Sequence, residues 1–345
     1  MAVAAADTGH SHRICELGFT YFDAPFRRAW ASPLAELKAL VRLARVCRKC
    51  RPSLVHFITV KPIVLGRVAC LCCRPCLVVN ALTGLGVAFT GGFKAGVTRR
   101  ILTPFLKLAL RNPAGFTVLQ NPDDLELLVE RRMIERSRAL VIRGSGVDCE
   151  RFRPSASFHG QPLVLLASRM LRDKGVPEFV RMARSLKKSH PEVRFVLAGD
   201  VDKGNPRSLR TEELEGWAKE GVVEWWGFRD DLPDVLAGAS IFVLPTTYRE
   251  GVPLVLLEAA ASGVPIVTTD APGCREIVRH DVNGFLVQPG DDGALIESVV
   301  RLLASAELRE RFGRAGREIA VSEFRVEHVV EQTMQLYDRL LEERS

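Results

Sequence analysis

Two carboxylates, Glu250 and Glu258, bracket the apolar run Gly-Val-Pro-Leu-Val-Leu-Leu. The segment follows an apolar stretch (241–245) and a polar turn (246–249), so strand, loop and helix are expected in that order. That order sets Glu250 at the carboxyl edge of a sheet, where α/β proteins bind their ligands. The backbone of Gly251, Val252, Pro253 and Leu254 is expected to offer N–H groups at the helix start, a seat for a phosphate or a sugar hydroxyl. Glu258, about two turns on among Val255, Leu256, Leu257 and Ala259, is costly without a hydrogen-bonding partner. A ribose diol would supply one; a solvated helix face is the alternative reading.

A second constellation is Ser168-Arg169-Met-Leu-Arg-Asp-Lys174-Gly175, again after an apolar run (162–168). Arg169 as a planar fork and Lys174 as a point charge suit a diphosphate, although a basic surface loop has the same composition. Asp200-Val-Asp202 has the spacing of a metal-diphosphate motif but is read as a loop, and no metal site is expected. The histidines form no H-x-x-x-H pair, and neither a G-x-S-x-G nor a Walker sequence occurs, which removes hydrolase and P-loop readings. Gly84-Leu-Gly86 is too short for a dinucleotide fingerprint.

Cys47-Arg-Lys-Cys50 and Cys73-Arg-Pro-Cys76 come close to zinc-ribbon spacing. Cys47 and Cys50 fall within an expected helix (33–51), so ordinary packing is the preferred reading and a zinc set stays open. Disulfides are disfavoured in a reducing cytosol.

These groups need a frame to hold them. From Pro162 onward, short β-branched runs (162–168, 193–199, 222–226, 241–245, 264–269 and 284–289) alternate with helical patterns, the mark of a parallel sheet covered on both faces. The first half repeats this with runs at 19–22, 54–58, 76–80, 116–120 and 139–142. The expectation is α/β, two doubly wound Rossmann-like domains with a cleft between them. Residues 1–150 would form one domain and 151–325 the other, with a final helix (326–345) packing across their junction. The first convincing strand comes at Phe19, so the chain is expected to enter the first domain after its usual opening strand and loop.

The 345 residues carry 48 Lys and Arg against 41 Asp and Glu. The excess is confined to the first half: residues 1–150 hold 22 basic and 11 acidic side chains, and Glu36 is the one acid among 16 bases between Ala24 and Asn121. Lys38, Arg42, Arg45 and Lys49 form a stripe expected to lie opposite Leu37, Leu40 and Ala44, which suits an anionic membrane leaflet. No motif supports nucleic-acid binding. No secretory signal is legible, and the charge-free run 75–93 contains too many glycines and polar residues for a membrane span. The chain is read as cytoplasmic and peripheral to the inner face of the cytoplasmic membrane.

The stretches 168–180, 194–200, 225–239, 248–278 and 283–287, with 52–62, 78–86, 119–124 and 141–154, resemble the retaining, two-domain glycosyltransferases of the GT-B fold, family 4. The set is similar to enzymes that add N-acetylgalactosamine or a related sugar to undecaprenyl-diphosphate-linked glycans in bacterial O-antigen, capsule or protein-glycan assembly. The resemblance implies that Arg169 and Lys174 hold the donor diphosphate. Glu250 would contact the donor sugar, Glu258 the ribose hydroxyls, and Gly251 to Leu254 the phosphate and sugar. Phe228 and Arg229 stand where the nucleobase packs. Lys61 and the loop from Thr83 and Gly84 would contact the acceptor; Thr83 stands near the position where many relatives have a histidine. The reaction implied is metal-independent transfer from a UDP-sugar to a polyprenyl-diphosphate-linked glycan, without a further cofactor. The alternatives are a truncated, non-catalytic nucleotide-binding protein and a sugar-nucleotide epimerase of the same fold.

Overall fold

A computed structural model describes residues 1–7, 9–26, 32–71, 76–86, 93–155 and 160–343, with backbone alone over 93–101. The chain forms two compact units, one of residues 1–84, 91–141 and 333–345, the other of 85–90 and 142–332. Both are built from parallel sheets, and the expected α/β architecture is present in each.

The first unit holds β1 (Ala2–Ala5), α1 (Ser11–Glu16), β2 (Thr20–Asp23), α2 (Pro33–Cys50), β3 (Leu54–Ile58), α3 (Val60–Leu71), β4 (Leu77–Leu82), α4 (Phe93–Leu110), β5 (Gly115–Leu119), α5 (Pro122–Glu130) and β6 (Ala139–Val141). Strands β3 to β6 lie side by side in chain order, and β1 and β2 form a separate parallel pair. A strand at Ala2–Ala5 corrects the expectation that the first one comes at Phe19. Its alanines carry little β propensity; pairing with β2 decides their conformation.

Helix α2 starts and stops where local chemistry dictates. The Ser32 hydroxyl accepts from the Ala35 N–H at 3.2 Å, Pro33 opens the first turn, and Arg51 ends the helix in a left-handed conformation. Its buried face is Ala39, Leu43 and Cys47. This corrects the expected face of Leu37, Leu40 and Ala44: Leu37 is 55% exposed and shares the solvent side with Lys38, Arg42, Arg45 and Lys49.

The second unit holds β7 (Leu163–Ala167), α6 (Val176–Leu186), β8 (Arg194–Ala198), α7 (Thr211–Lys219), β9 (Glu224–Trp225), α8 (Leu232–Ala237), β10 (Ile241–Leu244), α9 (Leu254–Ala261), β11 (Ile266–Thr269), α10 (Cys274–Ile277), β12 (Gly284–Val287), α11 (Asp292–Ala304) and α12 (Ala306–Glu323). The last helix, α13 (Val326–Glu342), begins in this unit, and its residues from Thr333 on belong to the first. Strands β7, β10 and β11 are buried along their whole length, as continuous apolar runs between two helical layers must be. Helix α6 shows the complementary pattern, burying Val176, Phe179, Val180, Ala183 and Leu186 at helical spacing.

The strand order is β12-β11-β10-β7-β8-β9. From β7 the chain moves outward through β8 to β9, then returns to the other side of β7 with β10. The loops after β7 and β10 therefore diverge at a topological switch point, where an open α/β sheet forms its binding crevice. Gly175 lets them pack closely: at φ +77° a Cβ there would stand 2.1 Å from the Pro245 carbonyl oxygen. Gly290, at φ +84°, faces open space. Gly175→Ala should cost clearly more stability than Gly290→Ala, for which about 1–2 kcal/mol of left-handed strain is expected. Urea unfolding of both variants checks this; equal costs would contradict the close packing.

Candidate active site

The groups singled out by spacing gather at the carboxyl edge of the second unit's sheet. Lys174 closes a short 3-10 turn (Arg172–Lys174) after β7, and Glu250 lies within the loop between β10 and α9. The Lys174 Nζ donates to Glu250 Oε1 at 2.5 Å, with the two side chains 11% and 17% exposed. The Asp173 carbonyl supports the same junction, accepting from the Thr247 N–H at 3.0 Å and the Thr246 hydroxyl at 2.9 Å. The switch point thus holds a half-dry cation and anion from loops distant in sequence.

Arg169 extends from the β7 loop and is about half exposed. Its Nη1 donates to Asp202 Oδ2 at 2.6 Å, so Asp202, read from sequence as part of a plain loop, is the partner of a candidate diphosphate ligand. Two further pairs brace this rim: Arg172 with Glu213 at 2.5 Å, and Arg207 with Asp173. Beyond them, the Trp225 indole donates to the Gly199 carbonyl at 2.8 Å. Phe228 is 68% exposed, and Arg229 lies 5.5 Å from the Trp226 ring centre while gripping Asp231. The position offers a flat apolar surface beside a cation.

Helix α9 refines the expectation for residues 250–258. It begins at Leu254, so Glu258 lies one turn in rather than two. Pro253, at the N-cap, has no N–H and cannot donate; Gly251 and Val252 are buried. The N–H groups of Leu254 and Val255 make no backbone hydrogen bond among the described residues and are the donors this helix start can offer. Among the described residues the Glu258 carboxyl has no hydrogen-bond or ion-pair partner. Burial pushes it up to about 7, against a weaker opposing pull from Arg151. Cys274 lies fully buried under this edge, and burial pushes its thiol up to about 12, which removes it as a nucleophile near neutrality.

In the first unit, β3 and β4 pair in register through Ile58 and Ala81, so Lys61 and Thr83, just past those strands, share one sheet edge. Thr83 is exposed and Gly84 half-buried, while Lys61 is buried and donates to Glu36 at 2.8 Å. Gly86 falls in the second unit, where its N–H donates to the Arg249 carbonyl at 3.0 Å. Of the zinc-like cysteines, Cys47 is buried, Cys50 exposed and Cys73 outside the described residues. Among the described residues no group of three His, Cys, Asp or Glu is arranged to hold a metal ion.

The raised Glu258 pKa has a sign that can be checked. The carboxyl is protonated in both folded and unfolded chains below about 4.5, so it costs nothing there. As pH rises from 4.5 through 7, the unfolded chain ionises freely and the folded one resists, so stability falls by about 3 kcal/mol. Glu258→Gln should be more stable than the unsubstituted chain at pH 8, with the gain shrinking below pH 5. Denaturant midpoints across that range test it; a pH-independent difference would contradict the partnerless carboxyl.

Comparison with known proteins places this geometry. The family model for glycosyl transferases group 1 matches residues 148–319, and that for glycosyl transferase 4-like proteins matches residues 2–119. The chain is 27% identical to the N,N'-diacetylbacillosaminyl-diphospho-undecaprenol alpha-1,3-N-acetylgalactosaminyltransferase of Campylobacter jejuni, over 96% of this chain and 89% of that protein. It is 25% identical to the UDP-Gal:alpha-D-GlcNAc-diphosphoundecaprenol alpha-1,3-galactosyltransferase of Escherichia coli, over 79% of this chain and 71% of that one. Among solved structures, Anabaena Alr3699/HepE in complex with UDP and glucose superposes with a TM-score of 0.81 at 20% identity, over 98% of this chain and 91% of that one. The two parallel-sheet units, the switch-point site and the two family matches together identify the chain as a member of the glycosyl transferase group 1 family, with the GT-B fold.

Proposed function

We propose that the protein is a retaining, metal-independent glycosyltransferase of bacterial polysaccharide or glycan assembly. It would move a sugar, an N-acetylhexosamine by preference, from a UDP-sugar to a polyprenyl-diphosphate-linked glycan. The observation that carries this reading is Glu258: a half-buried carboxyl one turn into α9 without a protein partner, on the segment that begins with the Lys174-paired Glu250. A ribose diol offers two O–H donors to such a carboxylate, removing the cost of its burial. The names of the Campylobacter and Escherichia relatives, both acting on undecaprenyl-linked acceptors, support the acceptor class.

In this reading the uracil ring packs beside Phe228 and Arg229, and the diphosphate meets Arg169, Lys174 and the amides of Leu254 and Val255. An ammonium has three N–H donors, so Lys174 can keep Glu250 while taking a phosphate oxygen. Glu250 is then placed to receive a hydroxyl of the donor sugar. As the glycosidic bond to the diphosphate lengthens, negative charge grows on the leaving oxygen, and the two cations and the helix amides stabilise it. The acceptor hydroxyl attacks from the face the diphosphate leaves and passes its proton to that oxygen. Configuration is retained, with no protein nucleophile needed. Thr83, Gly84 and Lys61, on the first unit's sheet edge, are assigned to the acceptor side; Glu36 holds the Lys61 ammonium in place.

The acceptor's lipid implies a membrane surface. Helix α2 exposes Leu34 (78%) and Leu37 together with Lys38, Arg42 and Arg45, and α3 exposes Leu71 (68%). A groove of about 360 Å³ between the two helices is lined by Leu40, Val41, Ala44 and Val68, with Arg45 and Arg48. Apolar side chains among cations suit shallow insertion into an anionic leaflet. No described helix is long and apolar enough to cross a membrane.

Two measurements test the proposal. UDP-sugars offered with a polyprenyl-diphosphate glycan should give an α-linked product in the presence of chelator, and Lys174→Ala should lower kcat/KM by 100-fold or more. A chelator-sensitive reaction, an inverted linkage or release of free epimerised sugar would count against it. Vesicles of anionic lipid should sediment the protein at low salt and neutral vesicles should not, with Leu37→Asp weakening the association. Binding that ignores lipid charge would overturn the surface assigned to α2 and α3.

A further inference from the structure

Three cysteines converge in the first unit from three separate elements. Cys47 lies on the buried face of α2, Cys70 in the last turn of α3, and Cys76 just before β4. The Cys76 thiol donates to Cys70 Sγ at 3.9 Å, and Cys70 is also hydrogen-bonded to Cys47. Cys47 and Cys76 are buried; Cys70 is intermediate and the most open of the three. None has a part in the sugar-transfer chemistry.

We propose that Cys70 and Cys76 are a redox-active dithiol: Cys70 is the entry thiol for a low-molecular-weight disulfide, and Cys76 resolves the adduct into an intramolecular disulfide. Their sulfurs touch already. A disulfide needs about 2.05 Å between them, which small side-chain rotations at a helix end and a strand start can supply. The pair is six positions apart in sequence, so closing the ring restricts a short segment. Cys70, the more open of the two, can meet a disulfide from solution, and Cys76 is shielded beside it.

The chemistry balances with the disulfide RSSR as oxidant. The Cys70 thiolate attacks one sulfur of RSSR, its S–S bond breaks, and RS⁻ leaves to take up the proton that Cys70 lost. The Cys76 thiolate then attacks Cys70 Sγ in the mixed disulfide and expels the second RS⁻, which is protonated in turn. Two protein thiols and one RSSR become one protein disulfide and two RSH. Hydrogen bonds with Cys47 and Cys76, and then burial, hold the Cys70 thiol well above its usual range, so the first attack is slow at neutral pH and sets the rate.

The test uses the full chain and glutathione disulfide. After incubation, free thiols are alkylated, the protein is cleaved after Leu71 with chymotrypsin to separate Cys70 from Cys76, and fragment spectra locate the joined sulfurs. The expected result is a Cys70–Cys76 disulfide, with glutathione trapped on Cys70 when Cys76→Ser is treated alike. The proposal is overturned if glutathione persists on Cys70 in the unsubstituted chain. It is equally overturned if Cys70 joins Cys47, Cys72 or Cys73, or if it stays reduced while the exposed Cys15 and Cys50 are modified. The decisive observation comes from the unsubstituted protein, so a folding defect in the variant does not blur it.

Discussion

The second unit is organised around one electrostatic contact at a topological switch point. Lys174 and Glu250 are 76 residues apart, yet the return of the chain to the other side of β7 brings their loops together and holds ammonium against carboxylate at 2.5 Å. Neither charge is fully solvated, so leaving either one unpaired would be costly. Much nearby detail serves that juxtaposition: the Asp173 carbonyl stitched to Thr246 and Thr247, the missing Cβ at Gly175, and the start of α9 directly beyond. A diphosphate placed there meets a cation whose position is already fixed, so little ordering remains for binding to do.

Glu258 complements that pair. Lys174 pairs with Glu250, whereas the Glu258 carboxyl has no such partner and is pushed up to about 7 by burial. Such a group discriminates between ligands, because one without hydroxyl donors leaves the half-buried carboxyl as costly as before. The first unit follows different physics. Its sheet edge carries a paired lysine and a glycine-containing loop, and its charge lies on the solvent side of α2. The charge in the sequence divides the same way, basic in the first half and slightly acidic in the second.

Much of this was legible before any coordinates. Apolar runs of five to seven residues at regular spacing located all six strands of the second sheet, most plainly β7, β10 and β11, since a strand buried on both faces has no freedom to be polar. The glutamates and cations stood out because carboxylates among leucines, and paired cations after a strand, are hard to explain as packing. Other features were not legible, for identifiable reasons. β1 is an alanine-rich tetrapeptide whose conformation comes from pairing with β2. The buried face of α2 is not readable from spacing because leucine and alanine occur around the whole helix; packing against α3 selects Ala39, Leu43 and Cys47. Asp202 with Arg169, Glu36 with Lys61, and Cys70 between two other cysteines are meetings across tertiary structure that no local spacing announces.

The most direct test of the account is calorimetric titration of UDP into the unsubstituted chain and into Glu258→Ala at pH 6, in two buffers of different ionisation enthalpy. If Glu258 is held protonated before UDP is added and ionises to accept the ribose hydroxyls, the unsubstituted chain binds UDP more tightly and releases more protons than the variant. Equal affinity and equal proton release in the two proteins, or a folded chain that fails to bind UDP, would contradict it.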